Sequence, residues 1–142
     1  MLSIFLAQNI IGQQLSTKAA NSIWCKIEKK ILEYNTKKIN QHSMEGFLRS
    51  NGVSSKKAQY ILGIILSSDF KHFRRYYMKY SEEDFEELLM SKKGIGIWTF
   101  GITKIFFMGN QDHILITDLG VQKAYKKINT GNNISELSLI HI

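Results

Sequence analysis

The chain has 142 residues, 44% of them hydrophobic, which suits one domain with a real core and excludes a largely disordered chain. Its 19 Lys and Arg against 12 Asp and Glu give a formal net charge of +7, a balance that suits a polyanionic partner because cations at phosphates release condensed counterions. The single cysteine, Cys25, excludes an internal disulfide, a four-cysteine zinc site and an iron–sulfur cluster. His42, His72, His113 and His141 are scattered without metal-ligand spacing, so no cofactor and no side-chain metal site is expected.

The N-terminal run MLSIFLAQNIIGQQ is apolar but lacks a basic region and carries Gln8, Asn9, Gln13 and Gln14. It reads as a helix, not as a signal peptide or membrane span, and an intracellular protein with no membrane partner is expected. Ala20, Ile23, Trp24, Ile27 and Ile31 share one helical face, with Ser16 as cap. Met44, Phe47 and Leu48 mark a short helix from Ser43 to near Gly52. Ala58, Ile61, Leu62 and Ile65 repeat the pattern after Ser54-Ser55. Phe70, Phe73, Tyr76 and Tyr77 predict a helical connector over 69–80. Ser81 and Asp84 form a capping-box pattern before Phe85, Leu88 and Leu89. After the turn Gly94-Ile95-Gly96 a helix is expected to run to about Met108. Asp118 then opens a last helix with Val121, Ala124, Tyr125 and Ile128 on one face. No strand pair emerges, and the predicted class is all-α.

Three features carry chemistry. Gly94-Ile95-Gly96 lies between two amphipathic helices, where glycine permits positive φ and close approach of a ligand. The second helix would then start with unpaired N–H groups, a natural phosphate site, with Lys92 and Lys93 adding charge; a plain αα-hairpin explains the same turn. Asp118, behind the apolar helix Phe100–Met108, reads locally as an N-cap. The adjacent Gln13 and Gln14 either face solvent or fill the gap left by an extruded base, since an amide offers both donors and acceptors.

Taken together, IIGQQLSTKAANSIW, GVSSKKAQYI, GIGIWT and ITDLGVQKAY resemble, in this order and spacing, the helix-hairpin-helix DNA glycosylase superfamily, in its 3-methyladenine glycosylase II branch. The resemblance covers about residues 4–128. It implies an all-α fold whose hairpin grips the DNA backbone through Gly94, Ile95 and Gly96, helped by Lys93 and Lys56, with a monovalent cation held by backbone 91–96. It implies a catalytic Asp118, a wedge at Gln14 with Gln13 beside it, and Trp98 at the base pocket. Trp98 would offer an aromatic face to a cationic base, or it packs in the core. Relatives that nick the strand carry a Lys at that hairpin-helix position, so Trp98 points to hydrolysis alone. Lys104 reads as solvated or near a phosphate; Lys56-Lys57 and Lys126-Lys127 read mainly as solvated faces, with Lys56-Lys57 nearer DNA because a helix starts there.

The expected function is base-excision repair by a monomer acting on double-stranded DNA with a damaged base, in the cytoplasm or nucleoid of a prokaryote or the nucleus of a eukaryote. The alternatives are a non-catalytic helix-hairpin-helix DNA-binding module, in which Asp118 only caps a helix, and an all-α interaction domain. Family members have Pro where Lys93 stands before Gly94, a change that leaves the glycine geometry intact. They also continue into a further helix with pocket aromatics, which nothing after Ile134 resembles, and they carry more sequence ahead of the first helix. Residues 1–136 are therefore expected to be an incomplete glycosylase core. Residues 137–142, LSLIHI, match the translation of a sequencing-library adapter and are expected to be an artefact.

Overall fold

In a computed structural model, residues 2–36, 40–71, 81–110, 112–116 and 118–128 are described. Among them the chain is helical and holds no strand, as the all-α expectation requires. The helices are α1 (Leu2–Gly12), α2 (Thr17–Thr36), α3 (Gln41–Ser50), α4 (Ser55–Leu66), α5 (Ser68–Lys71), α6 (Glu82–Met90), α7 (Ile97–Ile102), continued by a π-helical turn (Thr103–Phe107), and α8 (Leu119–Ile128). Most of the expected connector after residue 71, and the segment 137–142, lie outside the described residues. The chain divides into two compact units, one ending at Ile95 and one beginning at Gly96.

The first unit is built on α1, which packs against α2, α4 and α5, while α3 packs on α4. Leu2, Ser3, Leu6, Ala7, Ile10 and Ile11 are all buried and together form a broad face, about half of the helix circumference, turned to the core, while Gln8 on the other side is exposed. α2 presents the stripe Trp24, Ile27, Ile31 and Tyr34, and α4 presents Ala58, Ile61, Leu62, Ile64 and Ile65. Each fully buried Leu or Ile contributes roughly 1.5–3 kcal/mol.

Local chemistry sets the ends of these helices. Ser16 Oγ accepts from Ala19 N–H, Ser54 caps α4, and Ser81 with Asp84 closes both bonds of a capping box on α6. α3 starts earlier than the sequence pattern predicts. Asn40, not Ser43, is its cap, accepting from the N–H groups of His42 and Ser43. At its other end Gly52 takes φ +93°, with Gly52 N–H donating to Arg49 O and Val53 N–H to Leu48 O. This is a Schellman stop, which needs a left-handed residue at Gly52.

In the second unit the expected regular helix to Met108 is interrupted. From Thr103 the hydrogen bonding widens, with Met108 N–H donating to Thr103 O and Thr103 Oγ1 to Thr99 O. Lys104, expected to be solvated or near a phosphate, is instead buried, with its ammonium 5.6 Å from the Phe100 ring centroid. The returning segment packs tightly on α7 at Gly101, where a Cβ would lie 2.2 Å from Leu115 Cδ2 and 2.9 Å from His113 Nε2. That packing leads the chain into Asp118. No side chain of α8 is buried.

Candidate active site

Asp118 stands at the start of α8 with both carboxylate oxygens engaged. Oδ1 accepts from Gly120 N–H at 2.7 Å and Val121 N–H at 3.1 Å, the N-cap geometry expected from its position. Oδ2 accepts from the indole N–H of Trp98 at 2.8 Å. The carboxyl is held below its ordinary pKa, first by the Trp98 bond and then by Val121 N–H, with Gly120 N–H adding to them and partial desolvation opposing them. Hydrogen bonds to the charged form favour that form, so the group is an anion at neutral pH. Each oxygen has more than one acceptor direction, so Oδ2 can bond a further donor. A Cβ on Gly120 would lie 2.9 Å from Asp118 Oδ1, so a larger residue there would press on the carboxylate.

Trp98 is half-buried at the second position of α7. Its ring edge is committed to Asp118, a role that neither core packing nor base stacking alone describes. Sequence spacing gives no sign of a bond between two residues so far apart.

The two hairpin glycines differ. Gly94 has φ +90°, and a Cβ there would lie 2.5 Å from Tyr60 Cδ2, so only glycine fits. Gly96 has φ −119° and ψ −178°, ordinary extended backbone, with nothing within 4 Å of a Cβ. Its use is open space and the absence of a side-chain cap at the start of α7. Ile95 is buried, and its N–H closes the turn onto Lys92 O. Lys92, expected to add free charge, is paired with Asp69 and lies 5.8 Å from the Phe70 ring centroid. Lys93 is exposed. The carbonyls of Lys92 and Gly94 accept from Ile95 N–H and the Gln13 amide, and each keeps a second lone pair. Neutral carbonyls fit a weakly held monovalent cation better than a divalent ion, which favours carboxylates.

The adjacent glutamines also have different roles. Gln13 Nε2 donates to Gly94 O at 2.9 Å, making it a strut to the hairpin turn. Gln14 is exposed and adopts φ +59°, uncommon outside glycine, asparagine and aspartate. Lys57, grouped with Lys56 on sequence as a solvated pair, donates to Ile11 O at 2.9 Å and Gln13 O at 2.6 Å, and burial lowers its pKa. Lys56 is exposed. Sequence reasoning missed Gly101, Gly120 and Lys57. A glycine inside a helical run was the available signal for the first two; Lys57 had none.

No protein-family model matches the sequence, and no match is found among curated proteins. Solved structures share the fold, among them two glycosylases. The DNA-3-methyladenine glycosidase of Bacillus halodurans is 25% identical with a TM-score of 0.69, covering 98% of this chain and 65% of that one. The 3-methyladenine DNA-glycosylase of Archaeoglobus fulgidus is 24% identical with a TM-score of 0.71, covering 99% of this chain and 51% of that one. The chain thus spans between half and two thirds of the length of these structures. Its fold is that of the helix-hairpin-helix DNA glycosylase superfamily. The 3-methyladenine glycosylase branch is the part of that superfamily it resembles in both sequence blocks and backbone.

Proposed function

We propose that this chain carries the core of a monofunctional base-excision DNA glycosylase that hydrolyses the N-glycosidic bond of alkylated purines such as 3-methyladenine in duplex DNA. The observation that carries the reading is the carboxylate of Asp118, ionised and fixed by Trp98 and the start of α8.

The chemistry asks little more of the protein. When the C1′–N bond breaks, its electron pair leaves with the base, which departs neutral because the alkylated purine was cationic. The sugar becomes oxocarbenium-like, and the Asp118 anion stabilises that charge. Water then adds at C1′ and gives its proton to the carboxylate acting as base. Trp98 holds Oδ2 in place and offers a ring face to the cationic base, an interaction of about 0.5–2 kcal/mol. With an indole where strand-nicking relatives carry an amine, no Schiff base forms there and the reaction is hydrolysis alone.

In this reading the exposed Gln14 enters the duplex as the wedge, braced by Gln13, and the backbone at Gly94, Ile95 and Gly96 meets phosphates together with Lys93 and Lys56. The partner is duplex DNA with one damaged base, bound by a monomer in the compartment that holds the DNA. The half-to-two-thirds coverage of the glycosylase structures supports the core, and the base named for those two enzymes supports alkylated purine as the class.

A second reading has one observation in its favour. Oδ1 of Asp118 accepts two N–H groups of α8, all that a pure cap requires; the chain would then bind DNA without catalysis. Release of free 3-methyladenine from methylated duplex DNA separates the two. The protein is expected to release base, and Asp118→Asn to lose release by about a hundredfold or more while still binding duplex. Unchanged release by the variant ends the catalytic role of Asp118. Binding without release by the unaltered protein supports the module, and no binding supports an interaction domain.

A further inference from the structure

The turn that carries Gln14 is held by polar bonds more than by packing. Residues 14–17 are exposed, and Leu15 lines an open cavity of about 110 Å³ together with Ile11, Ile23, Val53 and Lys57. Leu15 N–H closes the turn onto Gly12 O, but no buried side chain of the turn pins it from below. Two long side chains do the anchoring. Lys57 Nζ donates to Ile11 O at 2.9 Å and to Gln13 O at 2.6 Å, and Gln13 Nε2 donates to Gly94 O at 2.9 Å.

We propose that Lys57 is a positioning residue for the Gln14 wedge, its ammonium clamping the last carbonyls of α1 so that Gln14 stays aimed outward in its left-handed conformation. This inference rests on reading Gln14 as the wedge.

The placement of the lysine supports it. Lys57 lies in the first turn of α4, where a cation works against the positive end of its own helix. Its charge is instead spent at the far end of α1, whose final carbonyls have no intrahelical donors and whose negative end favours a cation. The clamp fixes the residue immediately before Gln14. Gln13 extends the same fixation to Gly94 within the same unit. A non-glycine residue at φ +59° persists only where its surroundings over-determine it, and the Lys57 and Gln13 bonds supply that constraint. Lys56, its neighbour, points its charge to solvent and makes none of these bonds.

The test reads wedge insertion directly. A duplex with 2-aminopurine stacked beside a tetrahydrofuran abasic-site analogue is saturated with protein, and the rise in 2-aminopurine fluorescence reports unstacking. The expected result is a clear rise with the unaltered chain, most of it lost in Gln14→Ala and in Lys57→Met, and at least half of it kept in Lys57→Arg, which retains charge and donors. A merely stabilising lysine would lower the melting temperature of Lys57→Met and leave its fluorescence rise at saturation unchanged; that result overturns the proposal. If Lys57→Met does not fold, Lys57→Gln, able to span one carbonyl, decides in the same way: a rise equal to that of the unaltered chain overturns the proposal. A full rise in Gln14→Ala, or none in the unaltered chain, removes the wedge reading itself and this inference with it.

Discussion

The indole N–H of Trp98 donates to Oδ2 of Asp118 at 2.8 Å, so the aromatic residue at the start of α7 holds the carboxylate that opens α8. This bond is the largest cause of the lowered Asp118 pKa. A depressed folded pKa contributes stability that is present above the unfolded value of about 3.9 and lost as pH falls through the folded value. Trp98→Phe removes the donor while keeping a ring. The acid limb of the base-release profile is therefore expected to move up, toward the ordinary carboxylate range, with acid unfolding beginning at higher pH. An acid limb that stays in place would show that Trp98 does not govern this ionisation.

The two hairpin glycines are expected to fail in opposite ways. Gly94→Ala meets both a positive φ and the Tyr60 ring, and should lower stability by about 2 kcal/mol or more in chemical denaturation. Gly96→Ala meets neither, and should keep its denaturation midpoint while weakening duplex binding. Equal stability losses in the two variants would contradict this division.

Gln14 offers a trade between stability and function. Glycine accepts φ +59° without the penalty that a side chain brings, so Gln14→Gly should leave stability unchanged or raise it by up to about 1 kcal/mol. Base release from duplex should nevertheless fall, because no side chain remains to enter the stack. A thermal melt paired with the release assay checks both halves; a variant that is less stable yet fully active would reverse the argument.

Among the lysines near the hairpin and at the start of α4, charge and proximity to DNA need not coincide. Lys93 and Lys56 are exposed, whereas Lys92 is paired with Asp69. Removing one cation that neutralises a phosphate should reduce the slope of log affinity against log salt by about 1. Lys93→Gln and Lys56→Gln are expected to reduce it, and Lys92→Gln to change it little. A larger effect from Lys92 than from Lys93 would relocate the phosphate-binding surface.

Much of the fold is legible in the residues. The caps at Ser16, Ser54 and Ser81–Asp84 act within one turn, and the stripes of α2 and α4 repeat over a few residues, so a local pattern reports both. The sequence pattern misplaces the start of α3 because Ser43 and Asn40 are both good caps, and Asn40 is the one whose side chain meets the first free N–H groups. It predicts a regular helix after Gly96 because apolar spacing does not register the wider π turn at Thr103.

The sequence by itself determined most of the helices, a glycine turn at 94–96 and the residue types at Asp118, Trp98 and Gln14, because each depends on near neighbours or on the order of the blocks; that Gly94 and not Gly96 takes the left-handed φ came from the structure. Only tertiary structure decided that Trp98 binds Asp118, that Gln13 braces while Gln14 projects, that Lys57 clamps while Lys56 is solvated, and that Lys104 is buried. Those assignments depend on which side chains packing brings within about 3 Å, and residues distant along the chain carry no local mark of that meeting.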